Sequence, residues 1–223
     1  MAGSGAASDS EGMGCVDIWA EIFAAGYDWF LAPSEEAGLG GYRQRLLKSA
    51  TGRVVEIGGG TGVNLPYYGN GVTELVIAEP AEAMARRLER KALGVRIPTR
   101  ILRAPAERLP LETASFDYVV STLVLCTVKD PLAVLAEVRR VLKAEGRLLF
   151  IEHVRSDNPK LAAWQDRLRR PWGWFGCGCQ CNRQTAESIP AAGFSFAELR
   201  RDRLSKVPPL VRPVIMGSAA HSG

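Results

Sequence analysis

The sequence predicts an α/β fold: a seven-stranded, mostly parallel sheet with helices on both faces and an antiparallel hairpin at its end. Two observations carry that expectation. Short β-branched runs alternate with stretches of helical period along most of the chain, and strands alternating with helices specify a parallel sheet joined by right-handed crossovers. The first such run, Val54-Val55-Glu56-Ile57, also opens directly into a tight glycine loop, Gly58-Gly59-Gly60-Thr61-Gly62. Open parallel sheets bind ligands at the carboxyl ends of their strands, where this loop falls.

Taken in order, residues 1–14 are small and polar and read as a disordered tail, without the apolar core of a signal peptide. Residues 15–50 read as an amino-terminal helical lid. Within it a helical section runs from Val16 to about Ser49, broken by Pro33 and by glycines 38, 40 and 41, with Ile18, Trp19, Ile22 and Phe23 as one apolar face. The main domain spans 51–223. Its strands are expected at Arg53–Ile57, Glu74–Ala78, Arg100–Arg103, Tyr118–Ser121 and Arg147–Glu152. Helices are expected at Pro80–Ala92, with proline near the start where a missing amide costs little, and at Pro131–Leu142. An insertion at about 155–182 reads as a substrate cap. A helix from near Thr185 ends at Gly193, and Phe194–Leu204 and Leu210–Ala219 close the sheet as a hairpin.

The spacing of the glycines narrows the ligand. A dinucleotide fingerprint needs a third glycine where Val63 stands, and a P-loop needs a lysine that does not follow. The pattern here is E-x-G-x-G-x-G. Gly58, Gly60 and Gly62 let the backbone approach a ligand, and Glu79, closing the next apolar run, can accept from two ribose hydroxyls.

That pattern resembles the first motif of class I S-adenosylmethionine-dependent methyltransferases. The resemblance runs from about Trp19 to about Gly217. Ala106-Glu107-Arg108-Leu109-Pro110 is similar to the family's loop after strand three, Ser115 to Thr122 to its fourth-strand motif, and Leu148 to His153 to its fifth strand. Ala144-Glu145-Gly146 replaces the usual Pro-Gly-Gly turn. Gly60 to Tyr68, Thr122 to Cys126 and Glu152-His153-Val154 resemble the small-molecule branch, which includes the methyltransferase-like thiol S-methyltransferases and, more distantly, the ubiquinone/menaquinone C-methyltransferases. Gly178-Cys179, Arg183, Thr185 and Ile215-Met216-Gly217 match the thiol group best. Animal members carry a hydrophobic amino-terminal anchor; this chain has no such segment, so membrane residence does not carry over.

The resemblance implies a Rossmann-like fold and S-adenosyl-L-methionine as cofactor. The residues implied to hold it are Tyr27, Glu56, Gly58, Gly60, Gly62, Asn64, Glu79, Pro80, Ala106, Glu107, Thr122 and Leu123. Glu56 either meets the cofactor's amino group or orders the loop. Tyr27 is either the lid tyrosine that reaches the methionine end or a core aromatic.

His153, the only histidine outside the tail, stands at the carboxyl end of strand five, and is either a general base or a structural group. Trp164, Trp172, Trp174 and Phe175 make an aromatic wall for an apolar acceptor, or a cap packed on the domain. Arg167, Arg169 and Arg170 beside them are either a solvated face or a seat on an anionic membrane. Cys177, Cys179 and Cys181 are spaced C-x-C-x-C, unlike paired structural zinc ligands, so no metal is expected there, and Cys126 reads as core.

The 223 residues are 47% hydrophobic with a formal charge of +4. This suits one α/β domain and gives no basic block with aromatics for nucleic acid. No apolar run approaches a membrane span. Five cysteines without a secretory signal point to a cytoplasmic setting. The expected activity is methyl transfer to a small molecule, a thiol first. The alternatives are O-, N- or C-methylation of a phenolic, quinone or amine acceptor, and a non-catalytic binder of the cofactor. Oligomeric state is not legible.

Overall fold

A computed structural model describes residues 13–222; the side chains of residues 13–20 and of Phe23 lie outside the described set. Seven strands form one sheet: β1 (Gly52–Ile57), β2 (Val72–Ala78), β3 (Thr99–Leu102), β4 (Phe116–Thr122), β5 (Leu142–His153), β6 (Phe194–Arg203) and β7 (Pro213–His221). Their spatial order is β3-β2-β1-β4-β5-β7-β6. β1 to β5 run parallel, β7 is antiparallel to β5, and β6 is antiparallel to β7. The expected fold class and terminal hairpin are both present.

The central strands are apolar on both sides because helices cover both faces. Val54, Val55 and Ile57 of β1, and Val119 and Val120 of β4, are wholly buried. Helix α3 (Glu82–Ala92) places Leu88 against Leu65, Leu75 and Ile77 on one face. On the other face α4 (Pro131–Val141) places Val134, Leu135, Val138 and Val141 against Val55, Val119 and Phe150. Asp130 starts α4 by accepting from the amides of Leu132 at 3.0 Å and Ala133 at 3.1 Å. Helix α6 (Thr185–Ala191) ends at Gly193, whose φ of 83° suits the left-handed residue after a helix.

Several boundaries differ from the sequence expectation, each for a local reason. Helix α3 begins at Glu82, two residues after Pro80, because Ala81 is extended and its amide is held by the Glu79 carboxylate at 2.8 Å. Leu142, at ψ 138°, leaves α4 and opens β5. The register then shifts between Phe116 and Tyr118, so the expected turn at Ala144-Glu145-Gly146 is a bulge within a longer strand. The cap insertion is largely a 17-residue helix, α5 (Pro159–Phe175), capped by Asn158. β7 starts at Pro213 because Pro209–Val211 forms a single tight turn.

At the amino terminus α1 (Met13–Ser34) accommodates Pro33 in its last turn. A wide turn follows at Glu35–Leu39, with Gly38 at φ 137°, and then α2 (Gly40–Leu47). Met13 and Gly14, expected in the tail, belong to α1; the remainder of that tail lies outside the described residues. The same holds for the side chains of Ile18, Trp19 and Phe23, while Ile22 of that expected apolar face is 55% exposed. Polar contacts tie α1 to the sheet domain. Glu21 pairs with Arg86 and Arg87 of α3, and Asp28 bonds both Lys91 at 2.6 Å and the hydroxyl of Thr61 in the glycine loop.

Candidate active site

The glycine loop leaves β1 at the point where the strand order reverses. β2 lies on one side of β1 and β4 on the other, and the carboxyl ends open a crevice between them. Gly58, Gly60 and Gly62 all have positive φ, at 60°, 55° and 82°. A Cβ at Gly58 would lie 2.6 Å from Val124 Cγ2, so the loop can pack on the turn after β4 only without a side chain. A Cβ at Gly60 would meet nothing within 4 Å. Open space above a glycine cradle is what a nucleoside-bearing cofactor needs, so these residues fit S-adenosylmethionine.

Glu79 ends β2 beside this space and is 6% exposed. Its carboxylate accepts from the amides of Gly60 and Ala81, both at 2.8 Å, which fixes its orientation. Burial raises its pKa, while the two amides oppose that shift. Pro80 follows it in extended chain ahead of α3. Ala106 is buried in the core and Glu107 accepts from the amide of Lys129 at 3.2 Å, so both line the segment after β3.

Behind the loop lies a buried polar network that sequence reasoning found only in part. Arg43 of α2, 3% exposed, donates from Nη1 to Asn64 Oδ1 at 2.7 Å and to Thr122 Oγ1 at 3.0 Å. Its Nε donates to Glu35 at 3.0 Å. Asn64 donates to Thr122 Oγ1 at 2.9 Å and to Glu56 Oε1 at 2.8 Å, and Tyr68 donates to Glu56 Oε2 at 2.6 Å. Glu56 therefore orders the site through two side chains, not by capping backbone amides. Burial pushes its carboxyl up to about 7, against the hydrogen bonds from Tyr68 and Asn64. Tyr27 of α1 lies in the field of Arg43, Cys126, Glu35 and Cys179, and burial pushes its phenol up to about 12.

The turn after β4 is held under strain. Leu123 has φ 61°, rare for a side-chain-bearing residue, and its amide donates to Ile151 O at 2.7 Å. Glu152, fully buried, secures the same turn by accepting from Ser121 Oγ at 2.6 Å and from the amides of Val124 and Cys126. Successive residues of β5 point oppositely, so His153 projects away from Glu152. Its Nδ1 is 3.7 Å from both Cys126 Sγ and Cys179 Sγ. Cys179 Sγ points to Cys126 Sγ at 3.9 Å, and the contact between the two sulfurs holds Cys179 well below the usual thiol range and Cys126 well above it.

The aromatic wall does not assemble as expected. Trp172 lies against the apolar cluster around Cys126 and Cys179. Trp164 is 56% and Trp174 74% exposed, and Phe175, nearly half exposed, stacks obliquely on Trp172. Arg167 lies over the Trp164 ring at the surface. The C-x-C-x-C run also does not converge: Cys177 is exposed, and Cys181 is fully buried apart from His153. Sequence reasoning missed Arg43, which nothing local marks, whereas Cys126 packs in the apolar core as expected.

A separate depression of about 760 Å³ lies near Ala114, Arg139 and His221, at the amino ends of β4 and β5, away from all these groups. Among the described residues no helix is long and apolar enough to cross a membrane.

Comparison with known proteins agrees with this geometry. The methyltransferase domain family matches residues 55–150. The human thiol S-methyltransferase TMT1B is 37% identical over 183 residues, covering 78% of this chain and 73% of that protein. Human thiol S-methyltransferase TMT1A is 32% identical over 74% of this chain and 69% of its own length. Among solved structures, a SAM-dependent methyltransferase from Thermotoga maritima, described as a possible histamine N-methyltransferase, superposes with a TM-score of 0.66. It is 24% identical, with 92% of this chain and 99% of that one covered.

Proposed function

From a chain that belongs to the S-adenosylmethionine-dependent methyltransferases, we infer an enzyme that methylates the sulfur of a small thiol. One observation carries the choice of acceptor: the 37% identity to a thiol S-methyltransferase across most of both chains. S-adenosylmethionine supplies a methyl group already activated on a sulfonium, so the protein's task is alignment and exclusion of water.

In this reading Gly58, Gly60 and Gly62 admit the cofactor to the backbone, and Glu79 accepts from its ribose hydroxyls. Ala106 and Glu107 flank the adenine. Glu56, Asn64 and Thr122, braced by Arg43, form the polar floor at the methionine end, with Tyr27 closing from the lid. The contacts of Asp28 with Thr61 and Lys91 support a lid that excludes water. Leu123 fixes the turn that faces the acceptor. A thiol ionises near enough to neutral pH that its proton can leave to water, and the thiolate is a strong nucleophile. The reading therefore does not call on His153 as a base, and its Nδ1 faces two sulfurs. Trp172 borders the acceptor side; Trp164 and Trp174 do not enter it.

The test is incubation with isotopically labelled S-adenosylmethionine and a panel of small thiols, phenols, quinols and amines, read by mass spectrometry. A methylated thioether is expected. Methylation confined to oxygen, nitrogen or carbon acceptors overturns the choice of sulfur and leaves the cofactor in place.

A further inference from the structure

Three side chains at the carboxyl edge of the sheet take no part in that reading. Cys126 lies in the turn after β4, His153 ends β5, and Cys179 follows α5. Their ligating atoms all lie within 4.8 Å of one another. The two sulfurs are 3.9 Å apart, and each is 3.7 Å from His153 Nδ1. Around a tetrahedral zinc ion with usual bond lengths, two sulfurs lie about 3.8 Å apart and a sulfur and a nitrogen about 3.6 Å apart. The observed triangle is one face of that tetrahedron.

The surrounding fold holds the triangle in place. The Glu152 carboxylate accepts from the amide of Cys126, and Gln180 donates its amide to Cys126 O at 2.7 Å, tying the Cys179 loop to the turn after β4. Gly178, at φ 94°, allows this approach; a Cβ there would sit 3.1 Å from Thr127 O. β5 holds His153 through its pairing opposite Val214. All three side chains are at most 9% exposed. Two thiolates would balance a divalent charge, so the ion could be buried here without a stranded charge. Sulfur and imidazole donors with no carboxylate select a thiophilic metal over magnesium or calcium.

We propose that Cys126, His153 and Cys179 form a three-ligand site for a thiophilic divalent cation, zinc by its fit. Among the described residues no fourth Cys, His, Asp or Glu joins the group, which gives it the three-protein-ligand form of open zinc sites. The site is independent of which acceptor the enzyme uses.

The test uses the full chain, purified reduced and metal-free, titrated with zinc against a chromophoric chelator and separately with cobalt(II). The expected results are one zinc per chain and a cobalt spectrum with sulfur-to-metal charge transfer and strong tetrahedral bands. Zinc affinity should fall at least tenfold in Cys126→Ser and in Cys179→Ser and stay unchanged in Cys177→Ser, an exposed control. If either buried variant misfolds by circular dichroism, the wild-type cobalt spectrum and the His153→Asn variant decide. Substoichiometric uptake by the reduced protein, a weak octahedral cobalt spectrum, or zinc binding indifferent to Cys126→Ser overturns the proposal. Formation of a Cys126–Cys179 disulfide with no metal uptake after reduction likewise overturns it, in favour of a redox pair.

Discussion

Replacing Glu56 with glutamine should stabilise the protein at about pH 8 and change little at about pH 4. Glu56 is 2% exposed, and burial lifts its carboxyl from 4.5 to about 7. Between those values the folded protein holds a proton that the unfolded chain has released. Its contribution to stability is complete below the unfolded value and is lost as pH rises through about 7. A shift of that size corresponds to on the order of 3 kcal/mol. Glutamine fits the same partners: its oxygen accepts from Asn64, and its amide donates to the Tyr68 hydroxyl, which can turn to accept. The stability of the variant relative to wild type should therefore rise from near zero at about pH 4 to on the order of 3 kcal/mol at about pH 8. Urea unfolding of both proteins across this range measures it, and the subtraction cancels Glu79 and Glu152, whose pKa values are also raised. A difference that stays constant with pH would refute the reasoning. The same carboxyl offers a second readout. If it receives the cofactor's cationic end, S-adenosylmethionine binds more tightly to wild type as pH rises from about 6 to about 8, and this slope vanishes in the variant.

Three further perturbations follow from the site. Glu79→Ala should weaken S-adenosylmethionine binding by roughly ten- to a hundredfold, the loss expected of hydrogen bonds to a charged group; calorimetric titration checks it. Gly58→Ala should cost about 1–3 kcal/mol in urea unfolding, because the new Cβ meets Val124 at a backbone angle alanine disfavours, and should weaken cofactor binding as well. Arg43→Met should destabilise by about 3 kcal/mol by leaving Glu35 without its cation, and Glu35→Gln in the same chain should restore part of the loss.

What the sequence made legible was whatever lies close together along it. The run from Val54 to Gly62 displays strand, loop and positive-φ glycines within nine residues, and Gly193 marks a helix end by itself. Glu79 was readable because it closes an apolar run. Contacts that join remote segments were not readable. Arg43, Asn64 and Thr122 meet only because α2 folds back over the crevice, and a buried arginine is the residue type that composition argues against. Cys179 looked like part of a cysteine run, yet its partners are Cys126 and His153, set by the ends of two different strands. The tryptophans failed in the opposite way. Aromatic content suggested an interior wall, while the helical turn of α5 sends Trp164 and Trp174 outward. The bulge that lengthens β5 escaped because Ala144-Glu145-Gly146 carries ordinary turn residues.

The position of β7 also governs how this molecule must be assembled. It comes last in sequence yet lies between β5 and β6. Until it docks, β5 presents an open edge flanking Phe150 and Ile151, and β6 has no neighbour at all. The docking is demanding: next to the β6 bulge between Phe196 and Glu198, Gly217 lies so near its neighbour that a Cβ would come within 2.0 Å of Glu198 O. Strand pairing across so long a stretch of chain is slow, and an unpaired edge invites association with other chains while it waits. A side chain at Gly217 would therefore prolong the vulnerable interval, and its first symptom would be insoluble protein, well before any loss of activity in the molecules that fold.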